Sequence, residues 1–302
     1  MTGSGVIALS IVGSTAAGKS AVALGLARRR PDLELVSVDS MQVYRGMDIG
    51  TAKPTAAEQA EIRHHLIDLA EPDEDYTVAR FQHDMAAALA DIGGRGHRAV
   101  LVGGTGLYLR AAVDGLEIPG RYPETRAELE ADPDTAALHR RLAELDPVAA
   151  GRMEPENRRR VLRALEVTVG SGRPFSSYGP GMLTYPPIEF PLVGLRLERA
   201  ELDQRIGDRY QAQLVAGFAA EVAALAARPG GFSRTAAQAL GYREILAHLA
   251  GETSLDDAID QAVTRTRRFA RRQERWFRRD PRLTWVEGGQ NALADIDALL
   301  GD

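Results

Sequence analysis

The 302-residue chain contains no cysteine, which excludes disulfides, thiol nucleophiles and thiolate metal cages together. Its six histidines never fall at a ligand spacing such as H-E-x-x-H, so no metal cage is expected. No apolar run approaches the roughly 20 residues of a membrane-spanning helix, and the opening run VIALSIVG lacks a basic leader and a cleavage site. A cytoplasmic protein without membrane contact is the expectation. Lysine is nearly missing too: of 37 basic residues only Lys19 and Lys53 are lysine, the rest arginine. Against that bias, a retained lysine marks a place where a compact point charge fits and a planar guanidinium does not. The net charge of −5 argues against a uniformly basic nucleic-acid binder but leaves local patches open.

With 44% hydrophobic residues the chain can fill one large core, or one core plus a smaller satellite. Five short runs rich in Val, Ile and Leu (VIALSIVG, LELVSVD, RAVLVGG, PLVGLRL and LTWVE) alternate with longer helical patterns. That alternation predicts an α/β fold: a parallel sheet flanked by crossover helices, with ligands at the carboxyl ends of the strands. From GLEIPGRYPETRAELEADPD to GPGMLTYPPIEFP the pattern turns mostly helical between Pro- and Gly-rich borders. The expected organisation is a core of residues 1–118 and 191–302 with an inserted helical domain at 119–190.

Chemistry-bearing residues gather at the strand ends. GSTAAGKS, comprising Gly13, Ser14, Thr15, Ala16, Ala17, Gly18, Lys19 and Ser20, matches G-x-x-x-x-G-K-[ST] between a strand and a helix. Its glycines let backbone N–H groups close around phosphate oxygens, Lys19 adds a charge, and the Ser20 hydroxyl can ligate Mg²⁺. The bland alternative is a glycine-rich strand-to-helix turn. LELVSVD ends at Asp39-Ser40, where a carboxylate can hold Mg²⁺ through water, accept a proton from a nucleophile, or simply cap the next segment. Thr105, after Gly103-Gly104, is either a helix cap or part of the same crevice. The adjacent pair His64-His65 reads as packed or hydrogen-bonded rather than catalytic.

Two helices are rich in arginine. Arg265, Arg268, Arg272, Arg275 and Arg279 are three or four apart and share one helical face, while Phe269 and Trp276 can anchor another. ENRRRVLRALEV supplies a second cluster. Either these are solvated faces inflated by the arginine bias, or an acidic protein has concentrated its positive charge for a polyanion such as RNA.

The motifs GSTAAGKS, DSMQVYRGMDIGTAKP, HHLIDLAEPDEDYTVARF, GGTGLYLRA, RRVLRALEV, GYRE and RRQERWF, in this order, resemble the tRNA dimethylallyltransferase (tRNA isopentenyltransferase) family over nearly the whole chain. The loop departs slightly, with Ser14 where many relatives carry proline and Ser20 where many carry threonine. The resemblance implies a monomeric bacterial enzyme that uses Mg²⁺. It would transfer a dimethylallyl group from dimethylallyl diphosphate to the exocyclic N6 amine of the adenosine 3′ to the anticodon in tRNA, releasing diphosphate. It implies Asp39 as the base, Thr105 beside the reacting adenine, and Arg199 and Arg205 around the diphosphate, with Arg205 favoured for the leaving group. Contacts to the tRNA anticodon stem-loop are implied for Asp39, Ser40, Met41 and Gln42, for Thr105, for Arg126, and for Arg159, Arg160, Val161, Leu162 and Arg163. Lys53 is expected close to phosphate or RNA. The rivals are an adenylate isopentenyltransferase acting on free adenine nucleotides, a small-metabolite kinase using ATP on the same loop, and a non-catalytic RNA-binding protein. The absence of an N-K-x-D segment argues against a GTPase.

Overall fold

The computed structural model describes residues 3–179, 181–182 and 184–301; Pro180 and Leu183, in the border GPGMLTYPPIEFP, lie outside the described residues. Contacts divide the chain into two compact units, residues 1–113 with 187–302, and residues 114–186. The larger carries six parallel strands: β1 (Ile7–Gly13), β2 (Leu33–Ser37), β3 (His64–His65), β4 (Arg98–Gly103), β5 (Leu192–Arg196) and β6 (Leu283–Glu287), in the order β3-β2-β4-β1-β5-β6. The five apolar runs all become strands. Every residue of β1 is buried, as a central parallel strand covered on both faces requires. The sixth strand, β3, was hidden because two histidines make an edge strand with no apolar signature. There the His65 Nε2 meets Glu34 at 2.6 Å and the His64 Nδ1 meets the Ile62 carbonyl at 2.7 Å, so both side chains are hydrogen-bonded.

Between the strands run α1 (Lys19–Arg29), α2 (Ala56–Glu61), α3 (Val78–Gly94) and α4 (Gly106–Val113). The smaller unit is helical throughout: α5 (Pro123–Glu130), α6 (Thr135–Leu145), α7 (Pro147–Gly151) and α8 (Arg158–Ser171). They close over Leu129, Leu138, Leu142, Val161, Leu162 and Leu165. The chain then returns to the sheet with β5, followed by α9 (Arg199–Val215), α10 (Phe218–Ala226), α11 (Tyr242–Leu249), α12 (Leu255–Phe277) and α13 (Ala292–Ala298). Helix α12 starts at a Ser254 cap and buries Ala258, Ile259, Ala262, Thr266, Ala270, Gln273 and Phe277, the three-to-four spacing of one inward stripe. Among the described residues no helix is long and apolar enough to cross a membrane.

Candidate active site

The loop after β1 is shaped by backbone that only small residues tolerate. A Cβ on Gly13 would sit 2.3 Å from the Leu195 carbonyl oxygen, so β5 can approach only a glycine there. Ala16 and Gly18 both have left-handed backbone, φ 64° and 93°, which turns successive amides toward one side. Gly18 is the N-cap of α1 and has no side chain to occupy the first-turn amides, leaving them for an anion. The Lys19 Nζ folds back to donate to the Ser14 carbonyl at 2.7 Å. Burial lowers the Lys19 pKa to about 8; Asp39 nearby opposes the shift and the Arg209 guanidinium adds to it. Ser20 is exposed at the start of α1.

The loops after β2 and β4 meet beside it. Asp39 Oδ1 accepts the Met41 N–H at 2.9 Å, so this carboxylate does cap its own turn. Asp39 is half-buried, and both Lys19 and Arg209 feel its charge, which places it facing the phosphate loop. The Thr105 hydroxyl accepts the Ser40 N–H at 3.2 Å and lies 3.4 Å from the Ser40 hydroxyl, tying the ends of β4 and β2 together. Gly103 permits that closeness, because a Cβ there would meet the Val38 carbonyl oxygen at 2.6 Å.

Helices α9 and α12 add residues that sequence reasoning passed over. The Arg209 Nη1 donates to the Thr15 hydroxyl at 2.9 Å, its Nε is buried without a partner, and burial lowers its pKa. An orphaned guanidinium N–H beside a phosphate loop is a donor set for an anion. Arg205, one turn earlier on the same face, lies 3.7 Å from where a Gly18 Cβ would be and pairs with Glu201 at 2.7 Å. Arg199 is ten residues before Arg209, about 15 Å along the helix. It pairs with Asp203 at 2.5 Å and reaches the Arg267 carbonyl at 3.5 Å, while its Nη1, like the Arg209 Nε, is buried without a partner. The i,i+4 spacing of Arg205 and Arg209 was the available signal. Gln273, also missed, accepts the Thr15 N–H at 2.9 Å and donates to the Gly104 carbonyl at 2.9 Å. Only its place on the inner stripe of α12 could have pointed to it.

Lys53 requires a correction. Its ammonium donates to the Tyr44 carbonyl at 2.7 Å and to Asp48 and Asp68 at 2.6 Å each, which satisfies all three N–H bonds within the protein. It stitches the loop after β2 to the turn after β3 instead of meeting a phosphate. Gln42 is also engaged, accepting from Ser37 at 2.8 Å and donating to the Ala52 carbonyl at 3.2 Å. Glu221 of α10 completes the loop by accepting the N–H groups of Asp48, Ile49 and Gly50 and the Tyr242 hydroxyl. Met41 is half-buried beside them.

In the helical unit, Arg126, Glu130, Arg158, Arg159 and Leu162 line one concavity. Arg159 and Arg160 are exposed. Arg163 instead donates to Glu166 at 2.7 Å and to the Pro119 carbonyl at 2.8 Å, and Arg126 pairs with Glu130 at 2.7 Å. Val161 and Leu162, expected at an RNA surface, are core residues with 0% and 3% exposure. A helix that offers arginines on one face must bury the other, and positions 161 and 162 fall on the buried side. On α12, Arg268, Arg271, Arg272 and Arg275 are exposed, as is Arg279 in the turn just after it, while Arg265 is tied to Glu244 at 2.7 Å.

The chain is similar to known proteins over nearly its whole length. A tRNA dimethylallyltransferase of Nocardioides sp. is 47% identical over 290 residues, covering 95% of this chain and 93% of its own. One from Kineococcus radiotolerans is 48% identical over 289 residues, covering 92% and 90%. Among solved structures, the tRNA isopentenylpyrophosphate transferase of Bacillus halodurans superposes with a TM-score of 0.70 at 37% identity, covering 97% of this chain and 95% of that one. A eukaryotic dimethylallyltransferase acting on tRNA gives 0.78 at 26% identity, covering 96% and 77%. The IPP transferase family model matches residues 42–280, which begin at the Gln42 turn and run through the helix that carries Gln273. With the family model matched over 42–280 and relatives this similar over nearly the whole length, the chain belongs to the IPP transferase family.

Proposed function

We propose that the protein transfers a dimethylallyl group from dimethylallyl diphosphate to the N6 amine of the adenosine 3′ to the anticodon of a tRNA. The observation that carries this reading is the Thr105–Ser40 hydrogen bond, which brings a carboxylate facing the phosphate loop beside a second strand end. In the reaction the donor's C1–O bond breaks, diphosphate leaves with the electron pair, the amine nitrogen bonds to C1, and its proton passes to Asp39. Adenine N6 is a weak nucleophile because its lone pair is delocalised, so a base at the point of attack contributes about 10²–10⁴-fold. Charge developing on the leaving diphosphate meets Lys19, Arg209 and the amides opening α1, with Arg205 at the rim. Arg199, ten residues before Arg209 on α9 and paired with Asp203, would add its charge farther from the loop.

Mg²⁺ fits this site. Ser20 offers an exposed hard oxygen where the phosphates would lie, and among the described residues no cage of three His, Asp or Glu competes for a metal. Mg²⁺ commonly takes few protein ligands and completes its shell with phosphate oxygens and water. When bound, it would neutralise charge on the diphosphate. Thr105 would orient the adenine, and Asp39, Ser40 and Met41 would face the RNA. The exposed Arg159 and Arg160, and the exposed arginines of α12, would contact phosphates of the anticodon stem-loop, with the target adenosine flipped from its stack to reach Asp39.

The test is a transfer assay with radiolabelled dimethylallyl diphosphate and Mg²⁺, offering unmodified tRNA and free AMP in parallel. Label entering tRNA alone supports the reading. Label entering AMP moves the assignment to an adenylate isopentenyltransferase, and ATP consumption without transfer moves it to a kinase.

A further inference from the structure

We propose that Gln273 is a positioning residue that sets the spacing between the donor loop and the acceptor loop of this site. The inference rests on the prenyl-transfer reading above. Gln273 is 7% exposed on the inner stripe of α12, and its two amide atoms do different things. The carbonyl oxygen accepts the Thr15 N–H of the phosphate loop at 2.9 Å, and the amide nitrogen donates to the Gly104 carbonyl at 2.9 Å. Gly104 precedes Thr105, whose hydroxyl holds Ser40 next to Asp39. One side chain thus spans the route from the loop that would grip diphosphate to the residues that would hold the adenine.

The fit leaves no slack. A Cβ on Gly104 would lie 2.2 Å from the Gln273 amide nitrogen and 3.2 Å from the Gly13 carbonyl oxygen, so both loops and the amide press on one another. The same helix secures the phosphate loop again one turn earlier, where the Ser14 hydroxyl donates to the Ala270 carbonyl at 3.2 Å. One turn later it secures α4, where a Cβ on Gly106 would meet the Trp276 indole nitrogen at 2.0 Å. The uncharged amide accepts from Thr15 and donates to Gly104 simultaneously at any pH; a leucine or methionine does neither, and an ionised carboxylate would repel the Gly104 carbonyl. Its Arg-rich opposite face makes α12 the element that would feel a docked polyanion while holding both loops from within.

Because the donor carbon and the acceptor nitrogen must approach to near-contact, an ångström of slack between the loops costs on the order of a hundredfold in the chemical step. The expected signature is therefore in kcat, not KM. Gln273→Met should lower the single-turnover rate on saturating tRNA and donor roughly 30- to 300-fold, with KM for either substrate changed less than about threefold. Gln273→Glu separates positioning from packing through its pH profile: a protonated carboxyl restores both bonds, so its rate relative to the native enzyme should recover as pH falls and drop as the carboxyl ionises. Thr266→Val is the comparison for mere destabilisation. It removes a buried bond of α12 to the Tyr210 hydroxyl at 2.9 Å and touches neither loop, so it should lower the melting temperature and leave the rate unchanged. If Gln273→Met and Gln273→Glu turn over at the native rate, or lose activity only in step with melting temperature and without the pH-dependent recovery, the inference is overturned. The native enzyme is run beside them: failure of the native enzyme to label tRNA would sink the prenyl-transfer reading, whereas native labelling with unaffected Gln273 variants would sink only this one.

Discussion

The chain's two lysines, Lys19 at the start of α1 and Lys53 in the loop after β2, belong to the same unit, and their surroundings are opposite. Lys53 is 8% exposed, and its three N–H bonds meet two carboxylates and a carbonyl. Lys19 has one carbonyl partner, and burial lowers its pKa to about 8 although Asp39 is near. A buried cation whose donors are all matched is structural; one left short of partners is poised for an anion that arrives later. The same contrast separates two carboxylates on β2 and just beyond it. At Glu34, 3% exposed, burial alone would raise the pKa, but hydrogen bonds from Arg95 and His65 outweigh it and hold the carboxyl at about 2. Asp39 is half-buried and makes one local turn contact.

Exchanging the roles sharpens the comparison. Lys19→Met should cost about 10²–10³ in transfer rate while leaving the protein folded, as for loss of any preorganised charge at a leaving group, measured by single turnover and circular dichroism. Arg209→Met should cost a similar factor, and inorganic diphosphate should raise the melting temperature of the native protein more than that of this variant. Lys53→Met should reverse the pattern: unfolding by denaturant should show a loss of about 2–4 kcal/mol, because two carboxylates and a carbonyl lose their shared donor, while protein that remains folded keeps most of its activity. Native activity in Lys19→Met, or native stability in Lys53→Met, would erase the distinction.

The pH effects are smaller. Glu34 is depressed in the folded state, so its contribution is complete above the ordinary carboxylate range and is lost as pH falls through about 2. Acid unfolding of Glu34→Gln should accordingly be less steep below pH 4.5 than that of the native protein. Lys19 runs the other way: the unfolded chain binds its proton up to about 10.5 and the folded one only to about 8, so this group makes stability rise with pH between those values. Over the same window the empty site loses its charge, and affinity for diphosphate should fall as pH passes 8. Calorimetry with inorganic diphosphate at pH 7 and 9 checks this, and Lys19→Met should flatten the difference.

Much of this site was legible because its signals are local. A glycine-lysine-serine spacing after an apolar strand is a property of eight consecutive residues, and Asp39 and Thr105 each follow a strand that periodicity reveals. What escaped is what depends on distant packing. Lys53 looks the same in sequence whether its partners are phosphates or Asp48 and Asp68, since nothing local says where Asp68 will come to rest. Gln273 lies 258 positions from Thr15. Arg209 was distinguishable from Arg199 only by which turn of α9 ends beside the loop. Val161 and Leu162 were grouped with their arginine neighbours by motif, although helical period alone assigns them inward.

The most direct test of the account is the chemistry of Asp39. Asn at that position keeps the oxygen that accepts the Met41 N–H, so the loop should persist while the base is lost. With saturating tRNA and labelled dimethylallyl diphosphate, native protein should place the label on N6 of the adenosine 3′ to the anticodon. Asp39→Asn should do so about 10²–10⁴-fold more slowly while binding both substrates normally. An Asp39→Asn enzyme that transfers at the native rate would contradict the account, because the carboxylate between the two loops would then have no part in the reaction.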